Sequence, residues 1–137
     1  RGYFHQPTIF RGVNNQMQVA REEVFGPVVC VIPYSGGDQG ALAIANDTMY
    51  GLASAVWSAD NDRAIQVARQ IQAGTVWIND YHLLKVKFPF GGYKASGFGR
   101  ELGPWGLKEY TQVKHIHVGE HTDLDDKFYF AMLLGDQ

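Results

Sequence analysis

Three short strand-like runs, the first and last of them apolar and largely β-branched, constrain this chain more than anything else in it. They are Val28-Val29-Cys30-Val31-Ile32, residues 53–58, and Thr75-Val76-Trp77-Ile78; Ser35-Gly36-Gly37 follows the first and Asn79-Asp80 the last. Runs of this length and content, closed by turn residues, read as strands buried on both faces. Between them lie two helical patterns. One runs from Asp38 to about Asn46 with alanine at 41, 43 and 45; the other follows Asp60 and places Ala64, Val67, Ala68 and Ile71 at i, i+3, i+4 and i+7. Asp38 and Asp60 are the expected N-caps, and Gly74 the expected C-terminal stop. Strand, helix, strand, helix, strand predicts two successive βαβ units on a parallel sheet, with residues 75–79 as a central strand.

Strands of this kind need cover on both faces and protection at both edges, yet only two full-length helices are available. The α/β fold is therefore expected to be an incomplete three-layer parallel sheet. The missing part of the same polypeptide, or another subunit, must complete it. Residues 3–20 read as connecting structure, with an extended piece at Thr8-Ile9-Phe10 and a short helical pattern around 17–20. Residues 21–27 form a tight turn ending in glycine and proline. After Gly103, residues 105–110 suit a short helix and 111–118 a strand. The tail opens polar and acidic and ends in Phe128-Tyr129-Phe130-Ala131-Met132-Leu133-Leu134, a cluster expected to dock on this subunit or a neighbour.

Composition excludes several classes. With 137 residues, 45% of them hydrophobic, and a net charge of −2, the chain has the size and balance of one ordinary globular domain. Its 12 lysines and arginines are scattered rather than gathered into a stripe, so nucleic acid is not an expected partner. No apolar stretch approaches the ~20 residues of a membrane span, and no charged-then-apolar leader opens the chain. A single cysteine permits no internal disulfide, which makes a cytoplasmic setting the expectation. Arg1 rather than methionine opens the chain, which processing or proteolysis would equally explain.

The richest stretch is GTVWINDYHLLKVKFPFGGYKASGFGRELG, Gly74 to Gly103. A long irregular segment leaves the strand here, and in open parallel sheets ligands sit beyond the carboxyl ends of strands. The segment carries Tyr81, His82, Leu83, Leu84, Phe88 and Phe90 and is accordingly a candidate pocket wall, with Phe88 better read as an ordinary core residue. The glycines invite two matches that fail. Gly92 to Gly97 has the spacing of a P-loop opening, but Phe98-Gly99 stands where Lys-Ser/Thr would be required, and the third glycine of a dinucleotide fingerprint is displaced by one. Close backbone packing and sharp turns explain the glycines better. Cys30, inside an apolar strand with no neighbouring His or Lys, reads as a small buried hydrophobe rather than a nucleophile. His115 and His117 share one face of their strand and His121 follows, but no carboxylate or cysteine completes a zinc spacing.

Asn79-Asp80-Tyr81, followed by Pro89-Phe90-Gly91-Gly92-Tyr93-Lys94-x-Ser96-Gly97-x-Gly99-Arg100-Glu101-Leu102-Gly103, resembles the C-terminal part of the aldehyde dehydrogenase superfamily. Gly2-Tyr3-Phe4-x-x-Pro7-Thr8 and Arg21-Glu22-Glu23-Val24-Phe25-Gly26-Pro27 fall at the family's spacing, and the resemblance runs from about residue 2 to 118. It implies that residues 1–110 are the end of a catalytic domain and 111–137 an oligomerisation strand with its tail. It also implies an activity: oxidation of an aldehyde to a carboxylic acid with NAD or NADP. In that chemistry a cysteine thiolate adds to the carbonyl, hydride leaves for the nicotinamide, and water hydrolyses the thioester with a glutamate as base.

Residue by residue, the resemblance puts Glu23 on the hydroxyls of the nicotinamide ribose and Phe25 beside the nicotinamide ring. Leu84 and Phe90 would line the aldehyde tunnel, with Tyr81 and Leu83 near them. The family's nucleophile and base motifs are absent, so no catalytic residue is expected in this chain and by itself it should be inactive. The implied partners are the aldehyde, the remainder of the enzyme and further copies in a homo-oligomer. Two other readings stand beside this one. The chain could be an assembly module acting through residues 111–118 and the aromatic tail, or part of an enzyme for betaine aldehyde, with Tyr81 and Phe90 contributing to an aromatic box.

Overall fold

The structure, a computed structural model, describes residues 2–120, 123 and 127–134. Along the chain run β1 (Thr8–Arg11), α1 (Gln18–Arg21), β2 (Val28–Val31), α2 (Gly37–Asn46), β3 (Ala53–Val56), α3 (Asn61–Ala68), β4 (Thr75–Ile78), a 3-10 turn at Lys94–Ser96, α4 (Gly103–Lys108) and α5 (Phe128–Leu134). The α/β class and the parallel pairing follow the pattern in the sequence. The order of pairing does not. β1 pairs with β2, Thr8 opposite Val28, and β3 pairs with β4, Ala53 opposite Thr75; both pairs are parallel, and no ladder joins β2 to β3.

The extended piece taken as connecting structure is thus a strand, and it fills one edge of β2. β4, expected to be central, is hydrogen-bonded on one side only, to β3. Apolar periodicity marks a strand and the side-chain faces it presents, but it carries no information on which neighbour takes each edge.

Each helix end has its own chemistry. Asp60 caps α3 as expected, its Oδ1 accepting from Arg63 N at 3.0 Å. Asp38 does not cap α2. Gly36, left-handed at φ 80°, fills that position, and the Asp38 carboxylate instead reaches α3, where Arg63 Nε donates to its two oxygens at 3.0 and 3.1 Å. Arg63 Nη2 also donates to Oδ1, so the guanidinium fork grips the carboxylate through two nitrogens and this pair ties the starts of both helices. Their other ends are tied by Asn46, whose Nδ2 donates to Gln70 O at 2.9 Å while its Oδ1 accepts from Gln72 N at 2.8 Å. Between these ties Leu42 and Ala64 are buried.

Residues 111–118 form no strand in this structure, contrary to expectation. A strand exists only through its ladder, and no partner for one is present among the described residues. The tail cluster is a helix, α5, with Phe128, Tyr129, Met132 and Leu133 exposed, so docking of the tail is not seen among the described residues either. No helix is long and apolar enough to cross a membrane among those residues.

Two outcomes are expected. Among the described residues the buried apolar ones are few, Val13, Leu42 and Ala64, while Ile9, Val29, Val31 and many aromatic side chains face solvent. The isolated chain should therefore self-associate or melt without a sharp transition, and sedimentation with thermal melting will distinguish this from a cooperative monomer. The second concerns pH. The hydrogen bonds from Arg63 hold the Asp38 carboxyl below its ordinary value, and the same pair raises Arg63. A folded value below the unfolded one stabilises above the unfolded value, about 3.9, and that contribution is lost as pH falls through the folded value. Asp38→Asn should lower the melting temperature at neutral pH, and the gap from the parent should close below about pH 4.

Candidate functional site

The chain does not simply leave β4 after Ile78; it turns back along it. Asn79, left-handed at φ 52°, makes the turn possible and locks it: its Oδ1 accepts from Ser58 N at 2.9 Å, and its Nδ2 donates to Ser58 O at 2.8 Å and Asn61 Oδ1 at 3.1 Å. One amide side chain thereby joins the ends of β3 and β4 to the start of α3. The returning segment is pinned to the strand by Trp77, whose Nε1 donates to Leu83 O at 2.9 Å. Beyond it, Phe90 and Glu101 exchange backbone hydrogen bonds at 2.8 and 2.7 Å, and Gly103 N donates to Val86 O at 2.9 Å.

At the far end of β4 the glycine-rich segment buckles onto the body. Tyr93 N and Gly74 N both donate to Gly51 O, at 2.8 and 3.0 Å, and Ala95 N donates to Met49 O at 2.9 Å. Ser96 Oγ accepts from Gly51 N at 2.9 Å, and Lys94 Nζ donates to Asn46 O at 2.8 Å and Thr48 O at 3.1 Å. The ammonium sits on carbonyls at the C-terminal end of α2, where a cation also meets the negative end of the helix dipole. Gly74 and Gly91 approach so closely that a Cβ on Gly74 would lie 1.7 Å from Gly91 O. Close packing is the role expected of the glycines after Gly91; Gly74, expected to stop α3, lies beyond that helix, which ends at Ala68, and serves this contact instead.

Between the strand and the returning segment lies a cavity of about 270 Å³, lined by Thr75, Trp77, Leu83, Leu84, Lys85, Phe88, Pro89, Phe90 and Leu102. Its floor is one face of β4, since Thr75 and Trp77 stand at i and i+2. The structure thus brings together Leu83, Leu84 and Phe90 of the expected tunnel, along with Phe88. Tyr81 is not among the lining residues. Its ring stacks on His82, centroids 4.1 Å apart at 17°, and meets Trp77 edge to face at 6.5 Å. Trp77 and Leu102 were not anticipated from the sequence. Strand periodicity could have pointed to Trp77, but Leu102 arrives through the Phe90–Glu101 bridge, which no local pattern announces.

Glu23 and Phe25 lie elsewhere. Glu23 lines a separate cavity of about 460 Å³ with Glu22, Thr48, Tyr50, Gly51 and Ser96 among its walls. The two acids differ in what they touch. Glu22 ends α1, its N–H donating to Gln18 O at 2.9 Å and its Oε1 accepting from Gln18 Nε2 at 2.9 Å. Glu23 makes no side-chain hydrogen bond or ion pair among the described residues, and Phe25 is 97% exposed at the crest of the turn before β2. The structure does not gather Glu23 and Phe25 with the cavity on β4. Cys30 lies half-buried in β2 with Sγ 3.5 Å from Val19 O. His115 and His117 meet edge to face at 6.2 Å; His121 lies outside the described residues.

The family model for the aldehyde dehydrogenase family matches residues 1–116, and the chain belongs to that family. A betaine aldehyde dehydrogenase of Bacillus subtilis (strain 168) is 53% identical over 116 residues, 85% of this chain and 24% of the relative. A geranial dehydrogenase of Castellaniella defragrans is 49% identical over 118 residues, 86% of this chain and 24% of the relative. Among solved structures, a P449M/Y450L double mutant of betaine aldehyde dehydrogenase from Staphylococcus aureus, in complex with NAD+, superposes with a TM-score of 0.80 at 50% identity, covering 82% of this chain and 23% of that one. The chain spans about a quarter of the length of these relatives.

The glycine contact gives a direct test. Gly74→Ala must displace Gly91 and with it the end of the cavity wall, an overpacking that costs about 1–3 kcal/mol. Gly26→Ala is the control, since a Cβ there meets nothing within 4 Å. Thermal unfolding in the protein that carries this chain should show a clear loss for the first and little change for the second.

Proposed function

We propose that this chain is the C-terminal portion of an NAD(P)-dependent aldehyde dehydrogenase that oxidises an aldehyde to a carboxylic acid through a cysteine thioester. Membership of the family supports the reaction class. The observation that carries the residue assignment is the contrast between two adjacent carboxylates, one engaged by Gln18 and one without a partner among the described residues, two positions before an exposed aromatic ring.

An ionised carboxylate only accepts hydrogen bonds and so suits the vicinal hydroxyls of a ribose, while a free aromatic face suits a flat heterocycle. Glu23 and Phe25 fit a nicotinamide riboside on both counts. When bound, the cofactor takes up the hydride released by the aldehyde carbon. Glu23 would fix the ribose and Phe25 would limit the tilt of the ring. Leu83, Leu84 and Phe90 would hold the aldehyde's hydrocarbon body and keep water from it. The thiol nucleophile and the base would come from the remainder of the enzyme, which makes the chain alone inactive in this reading. Residues 111–118 would supply the strand that joins subunits of a cytoplasmic homo-oligomer.

Glu23→Gln tests the assignment. It preserves size and shape but replaces a charge-assisted hydrogen bond with a neutral one about half as strong. Since small misplacements of reacting groups are costly, single-turnover reduction of the cofactor in the complete enzyme should slow at least tenfold, with the melting temperature little changed. A primary isotope effect on the aldehyde deuterium should appear or grow. An unchanged single-turnover rate would make Glu23 a solvated turn residue.

A further inference from the structure

Kinship does not choose the aldehyde, because relatives of nearly equal identity carry the names of cationic and of apolar substrates. The cavity on β4 does choose. Four of its lining residues, Leu83, Leu84, Pro89 and Leu102, are aliphatic or cyclic hydrocarbon, three are aromatic, Thr75 is neutral, and Lys85 is the one ionised side chain among them. No carboxylate among the described residues lines it. Asp80 turns to its own chain, its Oδ1 accepting from Tyr81 N at 2.7 Å, and Glu101 lines the neighbouring cavity with Arg100. Lys85 is exposed and makes no ion pair among the described residues. Tyr81, the ring expected to help enclose a cation, has one face taken by His82.

We infer that Lys85 acts as a charge filter on this cavity: the substrate is an uncharged aldehyde with a hydrocarbon body, and aldehydes bearing a quaternary ammonium are disfavoured. The inference rests on the proposed function, since it takes the cavity as the seat of the aldehyde. A cationic side chain among the lining residues repels a permanent cation, and ring faces alone must then offset both that repulsion and the cation's lost hydration. A hydrocarbon body meets no such opposition and gains from every methylene buried, up to about fourfold in apparent affinity for each.

The experiment compares two aldehydes of one shape. Betaine aldehyde and 3,3-dimethylbutanal differ in having nitrogen or carbon at the centre of three methyl groups, hence in charge and little else. In the complete enzyme, kcat/KM with NAD and with NADP is measured for both, in the parent and in Lys85→Glu. The neutral aldehyde should be preferred at least thirtyfold by the parent. Because the intrinsic reactivities of the two aldehydes cancel between parent and variant, the change of preference isolates the charge: Lys85→Glu should shrink it at least tenfold. A parent that prefers betaine aldehyde, or a preference unmoved by charge reversal, overturns the inference while leaving the aldehyde dehydrogenase reading intact. Turnover of neither of these aldehydes, nor of a straight-chain series from propanal to octanal, overturns both together.

Discussion

One close backbone approach governs everything built beyond β4. Gly74, at the entry to the strand, lies against the carbonyl of Gly91, and both segments share the carbonyl of Gly51 through the amides of Gly74 and Tyr93. No side chain could occupy that contact without moving backbone. The consequence reaches the cavity, because Phe90 is the residue before Gly91 and is fixed from the other side by its two hydrogen bonds to Glu101. A wall residue held at both ends by backbone keeps its position without depending on the packing of its own ring. That suits a tunnel, whose walls cannot be filled by neighbours.

The turn at Asn79 is the complementary constraint at the other end of the strand. A left-handed backbone at a residue with a β-carbon is tolerated best by asparagine, which can also satisfy nearby backbone groups. Here the same residue does both, reversing the chain and tying Ser58 and Asn61 to the end of β4. Anchored at Asn79 and at Gly91, residues 80–90 form a closed flap over Thr75 and Trp77. Neither anchor depends on the side chains between them, since both are made by the backbone and by Asn79 itself.

Much of this was legible in the sequence, and the parts that were not share a cause. The three apolar runs, both long helices, the Asp60 cap and the packing role of the glycines all follow from patterns within a few residues. Leu83, Leu84 and Phe90 were found as a group because they leave one strand together. The partner of β2, the diversion of Asp38 to Arg63 and the arrival of Leu102 at the cavity depend on contacts across 10 to 25 positions. Apolar spacing is blind to these. Residues 111–118 illustrate the limit differently: their alternation marks a segment able to pair, but pairing is a property of two segments, and no partner strand is present among the described residues.

The separation of the two candidate clusters follows from the same physics. Glu23 and Phe25 sit on a turn held by short backbone bonds, Gly26 N to Val24 O at 2.8 Å and Val28 N to Gly26 O at 2.8 Å, and tied to β1 through Thr8 N and Pro27 O at 2.9 Å. That turn belongs to the β1–β2 pair, whereas the cavity belongs to the β3–β4 pair, and no ladder joins the two pairs. A reaction between groups bound at these two places needs their separation fixed to within a fraction of an ångström. Among the described residues the contacts between the pairs include an exposed ion pair, Arg21 to Asp47 at 3.8 Å, a part-buried bond from Asn15 Nδ2 to Ile44 O at 2.9 Å, and the buried Val13, which lines one cavity with Ile32 and Ile44. Exposed ion pairs are worth little, so the first of these adds little to that rigidity. Under the proposed function, an element packed on the exposed faces of β1 and β2 that also reached β3 and β4 would do more than cover them: it would help to set the distance across which the proposed chemistry occurs.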